Sequence, residues 1–175
     1  MCFFAKGQHD VASVCLRKAL YLAPMEWTSA YNLGLVYLTT GQTASAFQHL
    51  HKCAQLNPTF APAFTYLGVC LARLNDPRNA KHAYEKALAL APGDAIVHLN
   101  YALSLYNAGD DDGATKHLAS FDKLVASKPK KGEASGGESA FDDPDVQRQA
   151  RKLRAALKEV TQHISMNFQG NKTHV

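Results

Sequence analysis

Apolar residues along this chain recur at steps of three and four, and the pattern itself repeats. Leu33, Leu35, Val36 and Leu38 crowd one stretch, Gly41 and Gln42 interrupt it, and Ala46, Phe47, Leu50, Cys53 and Ala54 then return at helical steps as far as Pro58. That spacing gathers apolar side chains on one face of a helix, so it predicts two helices joined by a glycine turn. A shift of 34 residues lays Pro24 over Pro58 and Pro92, and "YNLGLVY" at Tyr31 over "TYLGVCL" at Thr65 and "LNYALSL" at Leu99. Gly7, Gly41, Asn75 and Gly109 fall in register as turns, with Ala12, Ala46, Ala80 and Ala114 as small residues just beyond them. A fixed period of this length marks a stacked array of structural units.

The recurring small residues have a packing reason. Gly34 and Gly68 remove a side chain where the first helix of each pair must approach the second, and Ala46 and Ala80 do so from the other side. Proline closes each pair, because it lacks a backbone donor and disfavours helix in the residue before it. Two departures stand out. Tyr101-Ala102 replaces the Leu-Gly of the earlier repeats, and the last repeat has Ala126 where its proline would fall. The array also opens mid-repeat, leaving Val11, Val14, Cys15 and Leu16 uncovered, and the expectation is that further repeats precede Met1. The expected organisation is an all-α, right-handed solenoid of antiparallel helix pairs over 1–126, divided as a partial repeat 1–26 and repeats 27–60, 61–94 and 95–126.

Residues 127–143, rich in Lys, Gly, Ser and Glu, read as a flexible linker. Asp143-Pro144 then supplies an N-cap with proline at the first helical position, and Val146, Ala150, Leu153, Leu157, Val160 and Ile164 form an apolar stripe. This predicts a C-terminal amphipathic helix over 144–165, serving either as a cap on the last repeat or as a partner-binding helix. The tail 166–175 lacks periodicity and reads as disordered.

Composition narrows the function. The net charge of +4 is mild and the basic residues are scattered, which argues against nucleic-acid binding. No apolar run is long enough to span a bilayer or to form the core of a signal peptide, so a cytosolic chain without direct membrane insertion is expected. The 4 cysteines form no CxxC pair and read as small apolar residues.

Candidate chemistry is thin. His49 and His51 sit about 200° apart around a helix and cannot chelate together, and Cys53 occupies the slot of Ala19 and Ala87. "GDDDGAT" at Gly109 has Phe121 where a calcium loop needs glutamate, and its aspartates suit helix capping instead. With no nucleophile elbow, phosphate loop or paired carboxylates, neither an enzyme nor a cofactor is expected. The remaining resource is surface. First helices of a stacked array line a concave face, which here would present Tyr31, Asn32, Leu35 and Thr39, then Thr65, Tyr66 and Arg73, then Asn100, Leu103, Tyr106 and Asn107. Nearly uncharged, with Tyr and Asn for contact area and adaptable hydrogen bonds, it suits a peptide or helix. Leu35, Val69 and Leu103 equally suit packing against neighbouring helices.

The 34-residue period, the Leu-Gly and Ala positions and the closing prolines resemble the tetratricopeptide family over roughly 1–127. The wording of the repeats, with "MCFF", "YLAPMEW", "YNLGLVYLT" and "LNYALSLYN", is similar to the tetratricopeptide-repeat subunits of the BBSome. That resemblance implies a non-catalytic scaffold in ciliary membrane-protein trafficking and ciliogenesis. It implies other BBSome subunits as partners, links to centriolar-satellite and dynein–dynactin proteins, and residence in the cytoplasm, the cilium and the basal body or centrosome. The linker and last helix fit it only loosely. A rival within the family is the chaperone adaptor that grips acidic C-termini. It needs cations at the places of Tyr31, Leu35, Thr65, Tyr66 and Val69, and here only its asparagine, as Asn32, is present. A third reading is the repeat region of a larger enzyme.

Overall fold

A computed structural model describes residues 9–127 and 143–170, with side chains of the final helix placed as far as Glu159. Among the described residues all regular structure is helical. The elements are α1 (His9–Leu22), α2 (Trp27–Thr39), α3 (Thr43–Leu56), α4 (Ala61–Arg73), α5 (Pro77–Leu90), α6 (Ala95–Asn107), α7 (Asp111–Ala126) and α8 (Pro144–Gly170). They fall into two compact units with the boundary after Gly93. In the first, α1 packs on α2, α2 pairs with α3, α3 contacts α4, and α4 pairs with α5; in the second, α6 pairs with α7 and α8 lies against α7.

Local chemistry sets the element ends. Gly41 and Gly109 adopt φ +76° and +82°, and Asn75 takes φ 60° at the equivalent turn. Glycine carries no Cβ to clash there, and Asn is among the few other residues that tolerate the left-handed region. Carboxylates cap the following helices. The Asp76 side chain accepts from the Asn79 N–H at 3.1 Å, Asp94 from Ile96 at 2.9 Å, and Asp110 from Gly113 at 2.8 Å, which accounts for one aspartate of the "GDDDGAT" stretch. Asp143 does the same for α8, accepting from the Asp145 N–H at 2.8 Å. Each satisfies a backbone donor that has no partner inside its helix.

The packing positions behave as the spacing requires. A Cβ on Gly34 would stand 2.6 Å from Leu50 Cγ, and one on Gly68 would stand 2.7 Å from the Tyr84 ring. Ala46, Ala80 and Ala114 are fully buried, as are Cys53 and Cys70. Along α1, Val11, Val14 and Cys15 are exposed, whereas Leu16, expected to be uncovered with them, is half-buried.

In the second unit, Ala95, Leu99 and Ala102 of α6 and Ala114, Leu118 and Phe121 of α7 form one core with Ala150, Leu153 and Leu157 of α8. Ala150, Leu153 and Leu157, with Val146 beside them, therefore lie on the last hairpin, in the manner of a cap. Arg154 reinforces the contact, its guanidinium pairing with the Asp122 carboxylate of α7 through two bonds, one of them Nε to Oδ2 at 3.3 Å. One boundary is corrected: α8 continues to Gly170 rather than ending at 165, where an irregular tail was expected. No proline or glycine interrupts the chain between 165 and 170, so nothing stops helix propagation before Gly170 itself. The linker expected over 127–143 and the tail 171–175 lie almost wholly outside the described residues, as do the first eight.

Candidate functional site

The first helices of the repeats carry the candidate surface. In the first unit, Tyr31 of α2 and Tyr66 of α4 lie 6.1 Å apart by ring centroid. Two residues that periodicity alone did not mark complete this cluster. Phe60, just before α4, stands edge-on to Tyr31 at 5.0 Å and tilted against Trp27 at 4.6 Å. All four rings are half-buried, so each leaves part of its edge or face at the surface. The available signal was the four-residue step from Trp27 to Tyr31, with an aromatic residue at the start of the next repeat. These rings contribute large area at low entropic cost and favour tilted and edge-on geometry.

The other predicted residues divide by environment. Asn32 and Leu35 are half-buried on α2, and Thr39 is exposed, its hydroxyl donating to the Val36 carbonyl at 2.8 Å. Thr65 does not present itself: it is 2% exposed, and its hydroxyl donates to the Ala61 carbonyl of its own helix at 3.2 Å. The physical reason is rotational, since Thr65 lies on the α4 face beside buried Ala61 and Gly68, whereas Tyr66, about 100° further round, reaches the surface. Arg73 is solvent-exposed yet engaged, its Nη1 donating to the Leu38 carbonyl at 3.3 Å. That bond supplies a donor to the end of α2, so Arg73 joins consecutive repeats. In the second unit, Asn100 is half-buried and Asn107 exposed at the end of α6, while Leu103 and Tyr106 pack against the core that α8 completes.

The residues weighed for chemistry take structural places. His49 stacks on Tyr37 at 5.4 Å and His51 on Phe47 at 5.7 Å, and burial, seconded by Lys52, lowers the His49 pKa. Burial raises the Cys53 and Cys70 thiols to about 11, far from the thiolate form that reacts or binds metal. Among the described residues no group of three or more His, Cys, Asp or Glu side chains converges to hold a metal ion, and no helix is long and apolar enough to cross a membrane. One polar pair escaped the periodic reading. His98 of α6 and His117 of α7 bring their Nδ1 atoms to 3.1 Å, and the Tyr101 ring lies 4.3 Å from that of His117. The 34-residue register could have revealed it, since these two places hold Phe64 and Ala83 one repeat earlier.

Paired helices, seams closed by small residues, left-handed turns and largely uncharged first-helix faces define a tetratricopeptide-repeat array. The tetratricopeptide-repeat model matches residues 28–60 and again 61–94. Within that class the chain is similar in sequence to the BBS4 proteins. It is 40% identical over 158 residues to BBSome complex member BBS4 of Bos taurus, which covers 90% of this chain and 29% of that one. It is 38% identical over 115 residues to the BBSome complex member BBS4 homolog of Drosophila melanogaster, or 62% of this chain and 24% of that one. The chain thus spans less than a third of the length of these relatives. In fold it resembles MamA from Desulfovibrio magneticus RS-1, with TM-score 0.68 over 73% of this chain and 72% of that one at 23% identity.

Proposed function

We propose that this chain is a non-catalytic protein-interaction scaffold, acting as part of a BBSome subunit in the ciliary trafficking of membrane proteins. The observation that supports this reading most is the 40% identity to a BBSome complex member across nine-tenths of the chain. Beside it stands the physical character of the first-helix faces. The Trp27, Tyr31, Phe60 and Tyr66 cluster offers aromatic area, Asn32 an adaptable hydrogen-bonding group, and neither supplies a charge. In the second unit Asn100 and Asn107 extend the polar, uncharged character. Such faces take a peptide or helix through apolar anchors rather than by capture of a carboxylate. The chaperone-adaptor alternative loses its main attraction here, since Tyr31, Leu35, Thr65, Tyr66 and Val69 stand where cations would be needed. Arg73, a cation on α4, donates to the Leu38 carbonyl.

Residence in the cytoplasm, cilium and basal body, and contact with centriolar-satellite and dynein–dynactin proteins, belong to the same proposal. Affinity capture from ciliated cells, with partners identified by mass spectrometry, tests it. Recovery of BBSome subunits is expected, with a several-fold loss on Tyr31→Ala combined with Tyr66→Ala at unchanged helicity. Recovery of Hsp70 or Hsp90 in place of BBSome subunits would replace the proposal with the adaptor reading.

A further inference from the structure

We propose that His98 and His117 form a two-imidazole chelate for a first-row divalent transition-metal ion that favours nitrogen ligands, such as Zn2+, Ni2+ or Cu2+, with water completing the coordination. The two side chains come from facing helices of one hairpin, α6 and α7, and their Nδ1 atoms stand 3.1 Å apart. Metal–nitrogen bonds of about 2.0–2.1 Å place two nitrogens about 3.3 Å apart at a tetrahedral ion and about 2.9 Å apart at adjacent square-planar positions. The observed separation lies between these values. In the metal-free pair one ring donates to the other, and the ring centroids are 5.3 Å apart, so the nitrogens point almost directly at each other. Chelation requires each ring to turn so that both Nδ1 lone pairs meet at a shared apex beside the present hydrogen-bond line. Each imidazole would then ligate through Nδ1 with its proton on Nε2.

The surroundings suit a weakly held cation. Both histidines are half-buried, which leaves a route for the ion and its waters. Tyr101, itself buried, lies against the His117 ring and forms one wall of the site. The Asp110 carboxylate acts attractively on a positive charge at His117. The other two hairpins lack such a pair. Their equivalent places hold Ala30 with His49, and Phe64 with Ala83.

Isothermal titration of the untagged full chain with Zn2+ and with Ni2+ tests the site. One ion per chain is expected, with a rise of several degrees in the thermal midpoint at saturation, since an ion bound only by the folded state stabilises it. His98→Phe with His117→Ala installs the pair that the preceding repeat already packs at these places. It is expected to weaken binding by at least about tenfold, because losing an outer partner of a metal ligand alone costs about 10–100-fold. His82→Ala, on an exposed surface, is expected to leave binding unchanged. On the unaltered chain, substoichiometric Ni2+ is expected to broaden the His98 and His117 ring resonances before those of His49 and His51, a readout independent of variant folding. Absence of 1:1 binding, undiminished binding by the double variant, or first broadening at other histidines would each overturn the proposal.

Discussion

The hairpins α4–α5 and α6–α7 hold the same register 34 residues apart, yet solve their packing with different side chains. In α4–α5 the seam sets Gly68 against Tyr84, so an absent Cβ on one helix makes room for a ring on the other. In α6–α7 the equivalent pair is Ala102 and Leu118, both buried. A methyl appears on one side and the ring becomes a smaller aliphatic group on the other. One turn away, Phe64 and Ala83 give way to His98 and His117, so a large–small apolar pair becomes two medium polar rings that satisfy each other. What the repeat holds constant is the filled volume and the absence of unsatisfied groups, not the identity of any one residue.

The sharpest way to break this comparison is to place the second hairpin's residue in the first. Gly68→Ala forces a methyl to within 2.7 Å of a fully buried ring that has little room to retreat. A loss of about 2 kcal/mol is expected in urea unfolding; an unchanged midpoint would mean that the seam is not close-packed. The reverse exchange is milder. Ala102→Gly is expected to cost about 1 kcal/mol through lost helix propensity and a small void, and a gain in stability would show that α6 prefers the closer approach.

The histidine pair sharpens the comparison through pH. The folded-state pKa of His117 is depressed below its ordinary 6.5, so the folded chain binds fewer protons there than the unfolded chain. Its contribution to stability is therefore intact above 6.5 and declines as pH falls toward the lower folded value. His98→Phe with His117→Ala is expected to change stability by less than about 1 kcal/mol at pH 7, since replacing both partners of a half-buried polar pair by apolar groups is nearly neutral. It should flatten the acid slope in the same melts, and an unaltered slope would assign that slope elsewhere, His49 being the other histidine with a lowered pKa. The smallest effect is expected at the α7–α8 contact. Asp122→Asn should cost no more than about 1 kcal/mol and lose even that at high salt, because the pair is partly solvated.

Much of this architecture follows from one-dimensional spacing. The turns at Gly41, Asn75 and Gly109, the caps at Asp76 and Asp143, and the seams at Gly34 and Gly68 each depend on neighbours within a few residues or one period, which the register exposes. The surface was harder to read because it depends on rotation about the helix axis. One position decides that Tyr66 reaches solvent and Thr65 does not, and the periodic pattern tolerates an error of one. Trp27 and Phe60 were missed for a related reason: they sit at helix starts, where the apolar stripe has not yet established its phase. Arg73 shows a third limit. A long side chain reaches beyond its own helix, and no spacing rule says whether its fork meets solvent, a partner or a carbonyl 35 residues away.

That last contact has a consequence for how the chain can change over time. Arg73 grips the main-chain oxygen of residue 38, an atom that every amino acid supplies. The latch therefore places no demand on which side chain occupies position 38, and drift there leaves it unaltered. All of its specificity is stored at position 73, where even lysine would exchange a planar fork for a single point of contact.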